Sequence, residues 1–448
     1  MYETKLTFPR GETMKKLALT LASIAAIATF APEASALPVF ARQVGMACNA
    51  CHYQHFPLLN AFGRAFKAGG FTMMGTEALV EGDRLSIPAT LNASILTSLG
   101  YEMTNAVQDP TTSAKVSSGG ASTGAFYVAG TGGESSLFVG GRGSENMGYL
   151  AEIGLAPTAA LGSMKTPILF DVGGTRVGVV PFSTDGQGAS YGFETLNTGA
   201  SPIHSITNTT GLNGQYIKAV AAAEYLGMDG NDTGAAVVVA NEMGFINVTK
   251  FDQGGVAGGN LGDLGSTYIR IAATFDLAGW DSALGIQSYS GSSADVVGLA
   301  PGSNNVVDTK ATVIDGQAQG EVGGMPVGIY FSYGKAPTVD TTATNTVGNA
   351  FNPGGTLDRT SLNISAEVGV VPEVATIGGA IRQAKTGTAD ANGDNMTDNA
   401  IFLTATYKLA QNQLVRLSWV NQTGTAWDTA TSNADGSSSW TINLYALF

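Results

Sequence analysis

The chain has 448 residues, 60 glycines and only 13% charged residues, and its formal net charge is -13. This length suits several soluble domains or one large barrel, and the negative charge argues against a nucleic-acid partner because phosphate binding needs a positive face. The low charge, with many Gly, Ser, Thr and Asn residues, is unlike a typical soluble enzyme or a disordered chain and favours many short strands and turns.

A secretory signal peptide is predicted near the start of the chain, with Met14 as its first residue. Two lysines follow Met14, an apolar run comes next, and the small residues at Ala34–Ala36 have the pattern of a cleavage site. We therefore expect residues 1–36 to be removed. The alternative, an anchoring membrane helix, fits less well because the apolar run Leu17–Ala31 is too short to span a bilayer.

Residues 37–75 differ from everything that follows, since they hold both cysteines and two of the three histidines. They also carry the one convincing helical pattern, in Pro57–Lys67, where the apolar residues at three- and four-residue spacing are Leu58, Leu59, Phe62 and Phe66. The pattern predicts a helix that begins near Pro57. A module of about forty residues is too small to bury a stable core alone, so it needs a cofactor, a host surface or both.

The sequence Cys48-Asn49-Ala50-Cys51-His52 has the CxxCH spacing of c-type haem attachment. Two thiols on one helical turn can add to the two vinyl groups of a haem, which leaves the imidazole of His52 beneath the iron as proximal ligand. The alternatives are a chance match or a thioredoxin-like redox pair, but the βαβ pattern expected around such a pair is missing. We therefore predict one covalent haem c at Cys48, Cys51 and His52, which together form the redox centre.

The distal haem ligand stays open between two methionines. Met73 is the predicted sixth ligand because it follows the helix at a separation that lets the chain wrap over the haem, and Met46 is the alternative. Both methionines also fit a role as packing residues. His55 lies one helical turn from His52 and projects on the same side, so we expect it to face solvent or a haem propionate rather than the iron.

Cations near the motif are the candidates for pairing with the haem propionates. Arg42, Arg64 and Lys67 carry nearly all the positive charge of the module, and a plain surface role is the alternative for each. His204, in a predicted loop, is interpreted as structural. Residues 390–398 resemble a calcium loop but lack its glycine and its closing glutamate, so a hairpin loop is the better interpretation.

From about Leu85 onward the hydrophobic period changes from helical to two. In residues 401–409 every second side chain is apolar and the others are mostly small and polar, and after a turn at Gln411-Asn412 the alternation returns. A β-sandwich or propeller also has short strands, but a polar face over long strands fits a wet lumen with an apolar exterior. Further strand candidates lie near residues 85–101, 124–130, 146–156, 166–182, 214–226, 234–248, 267–276, 282–290, 309–319, 325–334, 361–370, 373–384 and 440–448.

These strands predict an all-β fold over residues 76–448, an antiparallel outer-membrane barrel of about sixteen strands. After residue 37 no apolar run is long enough for a membrane helix, so a membrane crossing requires a closed barrel. The alternation from Trp440 to Phe448 resembles the last-strand signal of outer-membrane barrels, with Ala446 where an aromatic residue is usual. A Gram-negative outer membrane, with its lipid around the barrel, is the expected location.

Residues 37–75 resemble the amino-terminal module of the fused monohaem cytochrome-porins, the outer-membrane Fe(II) oxidases of iron-oxidising bacteria. The residues that carry the resemblance are Phe40-Ala41-Arg42-Gln43, the CxxCH motif, Pro57, Leu59-Asn60, Phe62-Gly63 and Phe66-Lys67. The barrel resembles that family only in length and pattern. The resemblance implies that Fe(II) gives one electron to the haem at or near the outer surface and that a periplasmic c-type cytochrome accepts it.

A single haem must then serve both sides of an apolar band roughly 25 Å tall. We therefore predict that the module plugs the barrel lumen, whose wall would supply the burial that the module lacks by itself. Two other functions stay open. One is a porin whose haem plug is structural, and the other is an electron conduit that works outward or on another donor, such as a reduced sulfur compound.

Overall fold

A computed structural model describes ten ranges of the chain: residues 38–83, 85–105, 122–130, 132–155, 159–199, 221–253, 264–294, 306–338, 346–427 and 438–448. The predicted signal peptide and His204 lie outside these ranges.

The strands form one closed antiparallel barrel of 16 strands, as the sequence predicts. Closure joins the first wall strand to the last, with Leu99 opposite Leu444. The terminal Phe448 extends this pairing through backbone hydrogen bonds with Ile95, so the end of the chain is part of the seam.

Two of the 16 strands are interrupted. The first wall strand pairs at Leu99 with Val128 and then at Thr97 with Ser135, so the two short pieces on its other side act as one strand with a break between them. The wall strands are Ala93–Asn105, Ser122–Ala129 continued by Ser135–Ser144, Met147–Gly154, Ala160–Lys165 continued by Ile168–Val172, Thr175–Thr184, Asp232–Asn241, Gly244–Gln253, Ser266–Leu277, Trp280–Ala294, Ala311–Val322, Met325–Ala336, Arg359–Val371, Ala375–Ala389, Asn399–Ala410, Gln413–Thr423 and Ser438–Leu447.

Smaller strands lie outside this regular wall. Leu79–Gly82 and Leu85–Pro88 form a separate hairpin before the barrel begins, so the period-two pattern near residue 85 belongs to this hairpin and the wall starts at Ala93. The remaining short strands are Gly132–Gly133, Val306–Asp308, Thr346–Asn349 and Asn395–Thr397.

Side chains alternate across the wall as expected for a strand with one wet face. In Asn399–Ala410, Ile401 and Leu403 are both 50% exposed on the outside, whereas Thr404 and Thr406 point inward and are 5% and 3% exposed. The outward apolar residues recur around the barrel, which provides the lipid-facing band of an outer-membrane protein. The protein is therefore a closed porin-like barrel with the apolar exterior of a membrane-spanning protein.

Three predicted strands need correction. The pattern at 166–182 is two strands joined at Gly173-Gly174, and the pattern at 234–248 is two strands joined at residues 242–243. The pattern at 214–226 is wrong where the structure describes it, because Ala222–Tyr225 is a short helix inside the lumen. None of the helices in the described ranges has the length and apolar character to span a membrane.

The connections between strands differ at the two rims of the barrel. One rim has the seven short turns, at residues 145–146, 173–174, 242–243, 278–279, 323–324, 372–374 and 411–412. Short turns face the periplasm in bacterial outer-membrane barrels, so we call this side the periplasmic rim. Both Ala93 and Leu447 lie at this rim, and residues 38–75, which precede Ala93, therefore enter the lumen from the periplasmic side.

The amino-terminal module fills part of the lumen, and we call residues 38–75 the plug. It contains three helices, α1 (Pro38–Val44), α2 (Cys48–Cys51) and α3 (Ala61–Ala68). The third helix begins later than the predicted Pro57 because the side chain of Asn60 accepts a hydrogen bond from the amide of Gly63 and caps it.

A second element inside the barrel, which the sequence did not predict, is the connection between Thr175–Thr184 and Asp232–Asn241. Its described parts, residues 185–199 and 221–231, carry many fully buried residues and pack against the inner wall, and we call them the lumen segment. They contain a 3-10 turn at Ala189–Tyr191 and the helix α4 (Ala222–Tyr225).

A buried ion cluster anchors the lumen segment to the wall. Arg270 on the wall donates from Nε to Glu194 Oε2 at 2.9 Å and from Nη1 to Asp315 Oδ2 at 2.5 Å. Thr198 adds a hydrogen bond to Asp315 Oδ1 at 2.6 Å. The side chains of Arg270, Glu194 and Asp315 are at most 1% exposed. Because water cannot reach them, each charge is compensated by the opposite charges in the cluster.

We predict that Arg270→Met loosens the lumen segment, because it leaves the carboxylates of Glu194 and Asp315 buried without their cation. Removing one partner of such a cluster costs about 3–5 kcal/mol of folding free energy. The measurement is the thermal midpoint of barrel unfolding, with single-channel conductance in planar bilayers as a second readout that should rise as the lumen opens.

The matched control is Arg176→Met, which removes an arginine whose 3.5 Å pair with Asp171 is 34% and 48% exposed. An exposed pair contributes about 0–1 kcal/mol, so this control should leave both readouts near wild type. Equal behaviour of the two variants would contradict the anchoring role of Arg270.

Candidate functional site

Asn60 and Gly63 bring helix α3 against the CxxCH helix α2. The side-chain amide of Asn60 donates to the carbonyl of Ala50 at 3.0 Å, and its backbone amide donates to Cys51 O at 3.0 Å. A Cβ placed on Gly63 would lie 2.1 Å from Cys51 O, so only glycine allows this contact. The cap and the small residue therefore fix how the two helices cross.

The plug, the wall and the lumen segment together enclose a cavity of about 400 Å³. A volume of this size is typical of cofactor and small-molecule sites. The plug contributes Phe40, Met46, Cys48, Cys51, His52, Phe56, Phe66 and Lys67, the wall contributes Leu96, Phe138, Leu150, Glu152, Lys165 and Tyr445, and the lumen segment contributes Asp185, Gln187, Ser190, Tyr191 and Glu194.

All three residues of the CxxCH motif line this cavity. Cys48 and Cys51 are one turn apart on α2, and no disulfide joins them. The ring of His52 places Nδ1 3.0 Å from the carbonyl of Leu58. With Nδ1 donating there, Nε2 carries the lone pair, which is the arrangement that metal-binding histidines use.

Burial keeps His52 in the form that binds metal. Desolvation lowers the pKa of His52 to about 4, although hydrogen bonds to backbone carbonyls at Leu58 and Pro57 act in the opposite direction. The imidazole is therefore neutral at physiological pH. Burial also raises the pKa of the Cys51 thiol, so this group stays protonated when nothing is bound to it.

The residues that line the cavity are largely apolar and aromatic on the plug side. Phe40 stacks on Phe71 with ring centroids 4.9 Å apart and meets the edge of Phe66 at 5.1 Å. Leu150 of the wall packs against this cluster. A flat apolar group bound here is shielded from water, and the redox potential of a bound metal centre depends on such exclusion.

Contacts along its whole length hold the plug in the barrel. The imidazole of His55 lies 2.7 Å from Glu367 on the wall, and both side chains are 1% exposed. Leu59 receives a hydrogen bond from Asn197 of the lumen segment at 2.9 Å and returns one at 2.9 Å. The prediction that His55 faces solvent or a propionate is wrong, because a buried wall carboxylate lies within reach.

The CxxCH helix lies at the periplasmic rim. The amide of Cys48 donates to Gln411 Oε1 at 3.1 Å and its Sγ lies 3.0 Å from Gln411 O, in one of the short turns. Asn49 donates to Glu373 in the neighbouring turn at 2.8 Å. The cavity extends away from this rim, since Asp185 directly follows the opposite end of strand Thr175–Thr184.

Three of the predicted cofactor residues do not reach this cavity. Met73 is 41% exposed, and its backbone carbonyl accepts from the side chain of Gln43 at 2.7 Å. Arg64 donates to both carboxylate oxygens of Asp281, at 2.6 and 2.7 Å, and Arg42 donates to the carbonyl of Ala93. Arg64 is therefore paired with Asp281, and the exposed Arg42 is not among the lining residues, so the propionate role predicted for both is without support.

Two other predicted residues do line the cavity, and several lining residues were missed. Met46, the alternative distal ligand, and Lys67, a candidate propionate partner, both belong to the lining. Lys165, Tyr191 and Glu194 were missed because they lie more than a hundred residues from the CxxCH motif. Lys165 carries one signal in hindsight, since it is a lysine in a strand of small and apolar residues.

No family model matches the sequence, and no curated protein matches it either. Solved outer-membrane barrels resemble the structure at low sequence identity. They include a loop-deletion mutant of OmpT from Vibrio cholerae (10% identity, TM-score 0.45, covering 80% of this chain and 99% of that chain), an anion-selective porin from Comamonas acidovorans (11%, 0.46, 80% and 99%) and OmpF of Salmonella typhi (10%, 0.45, 83% and 100%).

We predict that Gly63→Ala disrupts the plug, because the added methyl group overlaps Cys51 O and forces α2 and α3 apart. Overpacking of this kind costs about 1–3 kcal/mol. The measurement is the thermal midpoint of the full-length protein, together with the rate at which a protease cleaves residues 38–75.

Gly230→Ala is the matched control, because a Cβ at Gly230 meets nothing within 4 Å. We expect the protease to cleave this control variant at the wild-type rate. If Gly63→Ala were equally resistant, the close crossing of α2 and α3 would not be what positions the motif.

Proposed function

We propose that this protein is an outer-membrane c-type cytochrome that takes one electron from extracellular Fe(II) and passes it to a periplasmic c-type cytochrome. The observation that carries the proposal is the CxxCH motif on the lining of a largely apolar cavity inside a closed barrel. Cys48, Cys51 and His52 all line the same cavity, as covalent attachment of one haem requires.

The lining residues fit a haem by their chemistry. Cys48 and Cys51 have the spacing for two thioether bonds, and His52 has a neutral ring whose Nδ1 bonds a backbone carbonyl. Aromatic side chains cover the plug side. When bound, the haem supplies a one-electron Fe(III)/Fe(II) couple, and its potential depends on the axial ligands and on how well the surrounding residues exclude water.

The proposed reaction balances as a single electron transfer. Each Fe(II) donor loses one electron and becomes Fe(III), and one oxidised acceptor cytochrome gains that electron. No bond is formed or broken in the donor, so the chain needs no general acid or base at this site. Its residues have to bind the cofactor, keep water out and leave the two partners access from opposite sides.

The position of the motif supports a periplasmic acceptor. The amide of Cys48 donates a hydrogen bond to Gln411 in a turn of the periplasmic rim. The cavity is also lined by Asp185, which follows the end of a wall strand at the opposite rim. A donor on the outer side then has to act through the lumen. This differs from a haem placed at the outer surface, which the family resemblance implies.

The charges along the cavity favour a cationic donor. Glu134, Glu152 and Asp185 all line it, and the whole chain has a formal net charge of -13. Carboxylates attract cations and repel anions. Fe(II) therefore fits this wall better than an anionic donor such as a reduced sulfur compound.

The alternative is a porin whose haem plug is structural, which the closed barrel and its polar inner face favour. The plug and the lumen segment argue against a porin, because both pack against the inner wall and fill part of the lumen. Bilayer conductance of the wild-type protein separates the two functions, because a porin must pass solute and a sealed conduit should not.

The central test is the reduction of the purified full-length protein by Fe(II) in stopped flow. We expect the Soret band to shift to the reduced position with one Fe(II) consumed per haem. His52→Gln should keep the thioether-bound haem but lose the proximal ligand, so the rate should fall at least tenfold. Wild-type protein without haem, or haem that stays oxidised with excess Fe(II), would overturn the proposal.

A second prediction concerns the distal ligand, for which the cavity favours Met46 over Met73. We expect Met46→Leu to abolish the charge-transfer band that methionine ligation gives an oxidised c-type haem, and Met73→Leu to retain it. Both residues are 41% exposed, so the two variants are matched in accessibility. The opposite pattern would return the assignment to Met73.

A further inference from the structure

Two lysines reach the haem cavity from unrelated parts of the chain. Lys67 lies in the last turn of α3 in the plug, and Lys165 ends the wall strand Ala160–Lys165. Both line the same cavity as Cys48, Cys51 and His52. The tertiary structure therefore brings two lysine side chains from distant parts of the chain to one largely apolar cavity.

The surroundings of Lys165 leave part of its hydrogen-bonding capacity unused. The residue is 4% exposed, and its Nζ donates to the carbonyl of Tyr191 at 3.0 Å. The same Nζ lies 4.1 Å from the ring centroid of Tyr191 and 5.8 Å from that of Phe71. An ammonium group has three donors, and the hydrogen bond to Tyr191 occupies one of them.

Neither lysine has a carboxylate of its own. Within the described ranges, no ion pair includes Lys67 or Lys165. Glu194 is the carboxylate that favours the charge on Lys67, but it already binds Arg270 at 2.9 Å. Burial outweighs this attraction and lowers the pKa of Lys67 to about 8.

Glu134, Glu152 and Asp185 also line this cavity, but within the described ranges none of them forms an ion pair with Lys67 or Lys165. Burying an unpaired charge is unfavourable, and a second like charge nearby makes it more so. A ligand with two carboxylates would offset both charges through charge-assisted hydrogen bonds. The haem of the proposed function carries two such groups as its propionate side chains.

We propose that Lys67 and Lys165 form the recess that receives the two propionate carboxylates of the haem. This inference rests on the proposed function, since it needs a haem in the cavity. The two lysines take the place of Arg42 and Arg64 as the predicted partners of the propionates, and Lys165 adds a cation from the barrel wall. The wall is then part of the cofactor site as well as a container for the plug.

The proposal has a measurable consequence for the reduction potential. The reduced haem carries one more negative charge than the oxidised haem, so nearby cations favour reduction. Removing either cation should weaken reduction about tenfold or more in its equilibrium constant, which is about 59 mV for one electron. A role that is only structural would not move the potential in this direction.

The experiment compares Lys67→Met, Lys165→Met and Lys165→Arg in the full-length protein. We expect both methionine variants to keep covalent haem, measured as pyridine haemochrome, and to lower the midpoint potential by the amount above. Their propionate bending bands in resonance Raman spectra should shift. Lys165→Arg retains the charge and should stay closer to the wild-type potential than Lys165→Met.

Lys250→Met is the matched control, because Lys250 is an exposed lysine on an outward-facing position of a wall strand. If the potential and Raman bands of both cavity variants matched those of this control while haem was present, the propionate recess would be overturned. If Lys165→Met failed to fold, Lys67→Met would decide by the same criterion. Wild-type protein without haem would instead defeat the proposed function itself.

Discussion

Charged side chains on the inner face of the barrel determine how everything inside it is arranged. Glu367, Asp281 and Arg270 point into the lumen, and burying such groups without a partner is costly. Arg64 of the plug and Glu194 of the lumen segment supply the opposite charges for Asp281 and Arg270, and the imidazole of His55 lies within hydrogen-bond distance of Glu367. Each inner element is thus bound to the wall by at least one buried or largely buried ion pair, in addition to apolar packing.

The same constraint explains why a small module can be ordered in this protein. About forty residues with three short helices bury too little surface to be stable alone. Inside the lumen, Leu58 and Phe66 are at most 5% exposed, and the hydrogen bonds between Leu59 and Asn197 join the plug to the lumen segment. The barrel supplies the core that the module lacks, and the module in turn blocks part of the barrel.

The cavity lies between the plug, the wall and the lumen segment. Because each of the three contributes different side chains, the lining is partly apolar and partly charged. The plug brings thiols, an imidazole and aromatic rings, while the wall and the lumen segment bring Lys165, Tyr191 and several carboxylates. The plug side of such a site can pack against the apolar face of a cofactor, and the charged residues of the other side can bind its charged groups. An electron-transfer role needs little more from the protein than this enclosure and access from two sides.

Sequence periodicity by itself determined the architecture. Alternation of apolar and polar residues is a local property of each strand, and it correctly predicted a barrel with an apolar exterior and a polar lumen, while chain length gave the count of about sixteen strands. The CxxCH spacing is also local, so the candidate haem residues were identified without any structure. Two turns were missed, so 166–182 and 234–248 each concealed two strands. The turn at residues 242–243 has no glycine or proline to mark it, whereas Gly173-Gly174 is a recognisable two-residue turn signal.

Only the tertiary structure decided which distant residues meet. Sequence distance favoured Arg64 and Met73 as cofactor residues because they lie close to the motif, but Arg64 found Asp281 on the wall and Met73 stayed outside the cavity. Lys165 came to the site through closure of the barrel, and the lumen segment through burial of its own apolar residues. Long-range contacts depend on how the whole wall closes, and no short pattern in the sequence encodes that.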